Sequence, residues 1–250
     1  MLLIADVHGA TDALRRVASQ GETLLVLGDL INFIDYRTND GIVSEVAGEE
    51  FVEEMVGLRS AGRFDDARAR WREFSDGREE ALRLQFDSLI ETAYESISSA
   101  LVGARGFVTY GNVDRPDVMR RYLPKGVDFI DGETVEIEGK RVGFAGGGIP
   151  ALGIPGEVDE PRMAAKLATL GPVDILCTHV PPAIPALSSD VIGGRQKGSI
   201  AVREYLERFR PGHHYFGDIH QPQATRWRVG STRCVNVGYF RATGRAVRHD

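Results

Sequence analysis

The chain has 250 residues, of which 42% are hydrophobic and 26% charged. That composition excludes global disorder and predicts one or two packed domains. The 30 basic and 36 acidic residues give a formal net charge of −6. This argues against duplex nucleic acid as the partner, because phosphate contacts supply most of the affinity of duplex binders. The two cysteines, Cys177 and Cys234, show no CxxC spacing, which excludes a disulfide scaffold and a zinc ribbon. No apolar run approaches the roughly 20 residues of a membrane helix. The opening Met1–Asp6 becomes charged too soon for a signal peptide. A cytoplasmic protein without membrane contact is the expectation.

Short apolar runs alternate with helical patterns along the chain. Leu2 to Ala5 and Leu24 to Leu27 read as buried strands, with a helix over residues 11–19 between them, capped by Thr11 and Asp12. Strand, helix and strand within 28 residues make a βαβ unit, so part of the sheet is parallel. Residues 44–104 hold no strand-like run. Phe51, Met55 and Leu58 share one helix face; Phe64, Ala67, Trp71 and Phe74 share a second; Leu82, Phe86, Leu89, Ala93 and Ile97 share a third. The segment reads as an insertion of two or three helices within a single domain spanning residues 1–250. It is either a packed flank or homodimer contact, or a cap over a site. After Pro124 the period changes to two. Val127 to Ile130, Thr134 to Ile137 and Arg141 to Ala145 read as a β-meander. Asp174 to Cys177 is a further buried strand. Ser199 caps a helix that runs to Phe209, and strands at His214 to Phe216, Ala224 to Val229, Cys234 to Val237 and Ala246 to Arg248 close the chain. The sum is α/β, two sheets with helices outside.

The chemistry collects at the strand ends. Asp6-Val7-His8 follows the first strand and Gly28-Asp29 the second. Gly111-Asn112-Val113-Asp114 follows Phe107 to Tyr110, His179 follows Ile175 to Thr178, and Gly217-Asp218-Ile219-His220 follows Tyr215-Phe216. Ligands of α/β sheets bind outside the carboxyl ends of strands, so five ends can converge on one site. Asp, Asn and His together suit manganese, iron or zinc. Seven ligands, Asp6, His8, Asp29, Asn112, His179, Asp218 and His220, are too many for one ion and suit two that share a carboxylate.

The ordered blocks Asp-x-His, Gly-Asp, Gly-Asn-x-Asp, a lone His after a strand and Gly-x-x-His resemble the calcineurin-like metallophosphoesterases over residues 2–240, the insertion apart. The resemblance implies a four-layer αββα sandwich of two mixed sheets with two divalent ions between them. Asp6, His8 and His220 would hold one ion, Asp29 would bridge, and Asn112, His179 and Asp218 would hold the other. It further implies a metal-dependent phosphoesterase in which a metal-bridging hydroxide attacks phosphorus. Two positions depart from the family. Val113 stands where a histidine usually follows the Asn, as in a phosphodiesterase-like branch. A valine cannot protonate a leaving group, so the proton would come from water or another side chain, or a good leaving group would need none; Asp114 is the nearest candidate acid, and its alternative role is to orient a neighbouring His or the turn. Asp218 replaces a histidine. Three carboxylates against two divalent ions leave about +1 rather than +2, which favours manganese or iron, with magnesium or zinc as alternatives. Arg195 and Lys197, in the glycine-rich loop after His179, and Arg115 are expected to steady the phosphate of a small phosphoester substrate. A phosphomonoesterase acting on a nucleotide or small metabolite, and a non-catalytic scaffold with a degenerate metal site, are the alternatives.

Overall fold

The computed structural model describes residues 1–35, 38–151, 153–191 and 197–249. Strands β1 (Leu2–Ile4) and β2 (Thr23–Leu27) run parallel on either side of helix α1 (Thr11–Ala18), as the first 28 residues predict. Parallel β3 (Arg105–Thr109) and β4 (Val127–Phe129) extend this sheet on one side, and antiparallel β11 (Val247–Arg248) closes it on the other, in the order β11-β1-β2-β3-β4. The second sheet has the order β5-β6-β7-β8-β10-β9. Its strands are β5 (Glu133–Ile137), β6 (Lys140–Ala145), β7 (Ile175–Thr178), β8 (His213–Phe216), β9 (Arg226–Val229) and β10 (Thr232–Asn236). β6, β7, β8 and β10 are parallel, while β5 and β9 are antiparallel edges.

Period-two alternation sorts each central strand between two cores. Leu3, Leu25, Leu27, Phe144, Ile175, Cys177 and Tyr215 point into the seam between the sheets. Their neighbours Leu2, Ile4, Leu24, Val26, Val108, Leu176, Phe216 and Cys234 point outward under helices. The result is a four-layer αββα sandwich. α1 packs on α5 (Glu79–Leu101) outside the first sheet. α7 (Glu160–Leu170) packs on α9 (Ile200–Phe209) outside the second, with the one-turn α8 (Pro185–Ser188) between them in the chain. No helix among the described residues is long and apolar enough to cross a membrane.

Three local expectations are corrected. The strands after Pro124 form no meander, because β4 joins the first sheet while β5 and β6 pair in the second. The reason is α6 (Pro116–Tyr122), a helix between β3 and β4. A strand that follows a helical crossover pairs parallel to the strand before it. Thr11 and Asp12 do not cap α1. Ala10 holds the N-cap position without a side-chain bond, and Asp12 already lies in the first turn, paired with Arg15 at 3.0 Å. The insertion holds four helices: α2 (Ile42–Ala47), α3 (Glu49–Ser60), α4 (Phe64–Ser75) and α5. Inward Ile90, Tyr94, Ile97 and Leu101 seat α5 on the sheet, and Leu82 is buried near its start. Phe51, Trp71, Phe74 and Phe86 form an aromatic cluster that joins α3, α4 and α5. The Ser199 cap is present, with its Oγ accepting from Val202 N at 3.2 Å.

Candidate metal centre

The carboxyl ends of β1, β2, β3, β7 and β8 face one another across the open end of the sandwich. Asp6, His8, Asp29 and Asp218 all adopt left-handed backbone, with φ of 59°, 40°, 53° and 65°. Four of the seven non-glycine residues described with positive φ are therefore ligand candidates. Such backbone costs roughly 1–2 kcal/mol per residue, and strain of this kind gathers at functional sites. The loops can only meet because glycines separate them. A Cβ added to Gly28 would lie 2.4 Å from Gly111 N, and one added to Gly238 would lie 1.8 Å from Asp6 Oδ2.

Two groups of three ligand atoms result, Asp6 with His8 and His220, and Asp6 with Asp29 and His179, each within 4.8 Å. His8 Nε2 faces His220 Nε2 at 3.1 Å and Asp29 Oδ2 at 3.8 Å. His179 Nε2 lies 3.4 Å from Asp29 Oδ2 and 3.2 Å from Asn112 Oδ1. Backbone carbonyls fix both inner tautomers. His8 Nδ1 donates to Ile31 O at 3.3 Å, and His179 Nδ1 to Leu27 O at 2.8 Å. Both rings therefore turn Nε2 inward, the arrangement that ligating histidines show. Asp29 Oδ1 is held by Val113 N at 3.1 Å, and Asp6 Oδ1 by Asp218 N at 3.0 Å.

The free charges are poorly balanced. Burial, reinforced by Asp29 and Asp218, pushes the Asp6 carboxyl up to about 7 against the pull of His179. Burial acts the same way on Asp29, but His179 and His8 outweigh it and hold Asp29 well below the usual range. Burial would lower His179, yet Asp29, Asp6 and Asp218 raise it to about 10. His8 goes down through burial. The Asp6–Asp29–His179 group thus rests on a proton at His179 Nε2, set among acceptor oxygens. Asp6 Oδ2 is buried and has no hydrogen-bond partner among the described residues. A bare buried carboxylate oxygen beside inward imidazole nitrogens fits a divalent cation.

The other expected residues are placed differently. Asp218 is buried but belongs to neither three-residue group, and its Oδ1 faces Lys197 Nζ at 3.6 Å. Lys197 therefore reaches the centre, where its charge offsets that of the extra carboxylate. Arg195 lies outside the described residues. Asp114 is not positioned as an acid. It is 1% exposed, with Oδ1 accepting from Leu30 N and Tyr94 OH and Oδ2 from Gly111 N. It braces the Asp29 and Asn112 loops against α5. Arg115 turns away as well, with its guanidinium 3.4 Å from both Asp87 and Asp117.

Sequence reasoning missed the support beneath His8 and His220. Tyr239 stacks on the His220 ring at 4.0 Å and donates its OH to Asp35 at 2.8 Å. Arg241 pairs with Asp35 at 3.2 Å and with Asp40 at 2.7 Å, and donates to His8 O. The available signal was Asn236-Val237-Gly238, a sixth strand end with the same composition as the other five.

No family model matches the chain, and no relative is found among curated proteins. Solved structures do match. One has a TM-score of 0.59 at 15% identity, covering 96% of this chain and 90% of its own. Another is TT1561 of Thermus thermophilus, with a TM-score of 0.54 at 14% identity, covering 96% of this chain and 89% of its own. The chain shares their fold. At such identities the likeness extends to the αββα architecture over nearly the whole length, and the ligand set stands on this chain's own residues.

Proposed function

We propose that the chain is a calcineurin-like metallophosphoesterase that hydrolyses phosphodiesters with two divalent ions. The observation that carries this reading is the pair of three-ligand groups sharing Asp6, with the unpartnered Asp6 Oδ2 at their junction. Asp6, His8 and His220 would hold one ion, and Asp29, Asn112 and His179 the other, with Asp29 or Asp6 shared. Divalent ions so held supply Lewis-acid polarisation of a phosphoryl oxygen and acidify a water near neutral pH. Oxygen and imidazole donors favour manganese or iron over softer choices.

The chain's own groups do the rest. Ile31 O and Leu27 O hold the Nδ1–H of His8 and His179, so that each ring would offer Nε2 to an ion, His179 after losing its Nε2 proton. Val113 contributes its N–H to Asp29 and keeps its side chain buried, so no acid stands over the leaving group at that position. This favours esters whose leaving group needs little protonation. Lys197, close to Asp218 and 39% exposed at its side chain, would meet a substrate phosphate from the solvent side.

The test is a panel of aryl phosphate mono- and diesters at equal manganese load, with Asp29→Asn alongside. The proposal expects diesters to be the better substrates and Asp29→Asn to lose at least a hundredfold in kcat/KM. Equal, metal-independent rates for wild type and variant would refute it.

A further inference from the structure

The helical insertion encloses a half-open cavity of about 680 Å³. That lies within the roughly 300–1,000 Å³ of small-molecule sites. Its walls are apolar, formed chiefly by Phe33, Phe51, Met55, Trp71 and Ile154. Four charged residues also line it, Arg59, Asp65, Arg68 and Arg72, none of them buried. The other lining residues among those described carry apolar side chains.

Two of its walls belong to loops that carry candidate ligands. Phe33 follows Asp29 by four residues, so their Cα atoms are at most about 15 Å apart. Ile154 precedes Gly156 by two residues, and Gly156 presses on the Asn112 loop so closely that an added Cβ would lie 2.3 Å from Gly111 O and 2.5 Å from Asn112 O. The cavity wall is thereby tied to the loops of Asp29 and Asn112, while neither residue lines it. Phe33 also bonds the insertion directly, its carbonyl accepting from Val43 N at 3.0 Å, and its ring packs on Phe86 at 5.9 Å.

We infer that this cavity receives an aliphatic chain of the phosphoester substrate, so that the natural substrate is an amphiphile with its phosphate at the centre and its chain among the insertion helices. The inference rests on the proposed phosphoesterase reading. The aliphatic class follows from the lining: an apolar cavity gains from each methylene it takes out of water, whereas a nucleobase would leave its polar edge unpaired.

The experiment uses the manganese-loaded full chain. Hydrolysis of p-nitrophenyl alkyl phosphate diesters is measured from methyl to decyl, below their micellar concentrations. Binding of the matching n-alkyl phosphonates is followed by tryptophan emission, with Trp71→Phe to assign the signal against Trp227. The expected result is a rise in kcat/KM and in phosphonate affinity of about fourfold per methylene until the cavity is filled. Ala67→Phe, which narrows the cavity, should flatten the dependence on chain length. Hydrolysis with no dependence on chain length in the wild type would overturn the inference and leave the phosphoesterase reading standing. Chain-dependent phosphonate binding without hydrolysis of any ester would remove the phosphoesterase reading and retain the chain site.

Discussion

His8 and His220 meet Nε2 to Nε2 at 3.1 Å across 212 residues of sequence. His8 is locked from behind by Ile31 O, and His220 is locked by the flat face of Tyr239. Tyr239 in turn depends on Asp35, which Arg241 also holds. Removing such supports typically weakens metal binding about 10–100-fold. Tyr239→Ala and Arg241→Met should do so for the Asp6–His8–His220 group in a chelator-competition titration. Tyr239→Phe should lose less, because it keeps the stacked ring. Wild-type affinity in all three variants would show that the network only fills space.

Metal binding should release a proton. His179 is raised to about 10 without metal, chiefly because Asp29, Asp6 and Asp218 outweigh its burial. It must give up that proton to ligate. Apparent affinity should therefore rise about tenfold per pH unit from 8 to 9 for the one proton displaced from His179, and more steeply below about 7, where Asp6 carries a second. Calorimetry in buffers of different ionisation enthalpy reads the released proton directly, and a buffer-independent heat would contradict it.

Asp114 should behave as a brace. Its carboxylate accepts from three donors at 2.9–3.1 Å, and the Tyr94 OH that donates to it also accepts from Arg115 N at 2.8 Å. Burial and the Asp29 charge push it up to about 7 against those donors. Asp114→Asn turns an amide group toward at least one donor and should cost about 1–3 kcal/mol in urea unfolding. Activity should fall by the same factor on esters with good and with poor leaving groups. A loss confined to poor leaving groups would make Asp114 an acid after all.

His214 sets a different pH dependence. Thr178 Oγ1 donates to Val180 O, so it accepts from His214 Nε2 at 2.9 Å, and the ring is buried with Nδ1 unpartnered. Burial lowers its pKa from 6.5 to about 3. The unfolded chain therefore binds a proton that the folded chain refuses between those values. Stability from neutral His214 is complete above pH 6.5 and falls as pH drops, at close to one proton's slope, about 1.4 kcal/mol per unit. The raised Asp6 and Asp114 act with the opposite sign, so the readout is the difference between wild type and His214→Phe. The variant should lose less stability from pH 6.5 to 4, and parallel profiles would contradict the assignment.

The central strands were legible because Leu2 to Ala5 and Leu24 to Leu27 are unbroken apolar runs, as strands buried on both faces are; which residues face the seam emerges only from the packing. The ligand loops were legible because Asp, Asn and His directly follow apolar runs. Pairing was less so: period two identifies Val127–Phe129 as a strand but carries no information on which sheet receives it. The role of Asp114 stayed open for a related reason. A carboxylate next to a ligand reads either as an acid or as a support for the turn until Tyr94, 20 residues upstream, is seen bonded to it. Tyr239 and Arg241 escaped because they lie beyond the last strand end recognised, on a turn whose chemistry is supplied to residues 233 positions earlier.

The central claim is that this cluster binds two ions and uses them. Elemental analysis before and after manganese loading, with bis-aryl phosphate hydrolysis on the same samples, tests it directly. The account predicts close to two ions per chain, and activity that rises with occupancy and is lost in Asp6→Asn. Fewer than one ion per chain after loading, or full occupancy without hydrolysis, would contradict it.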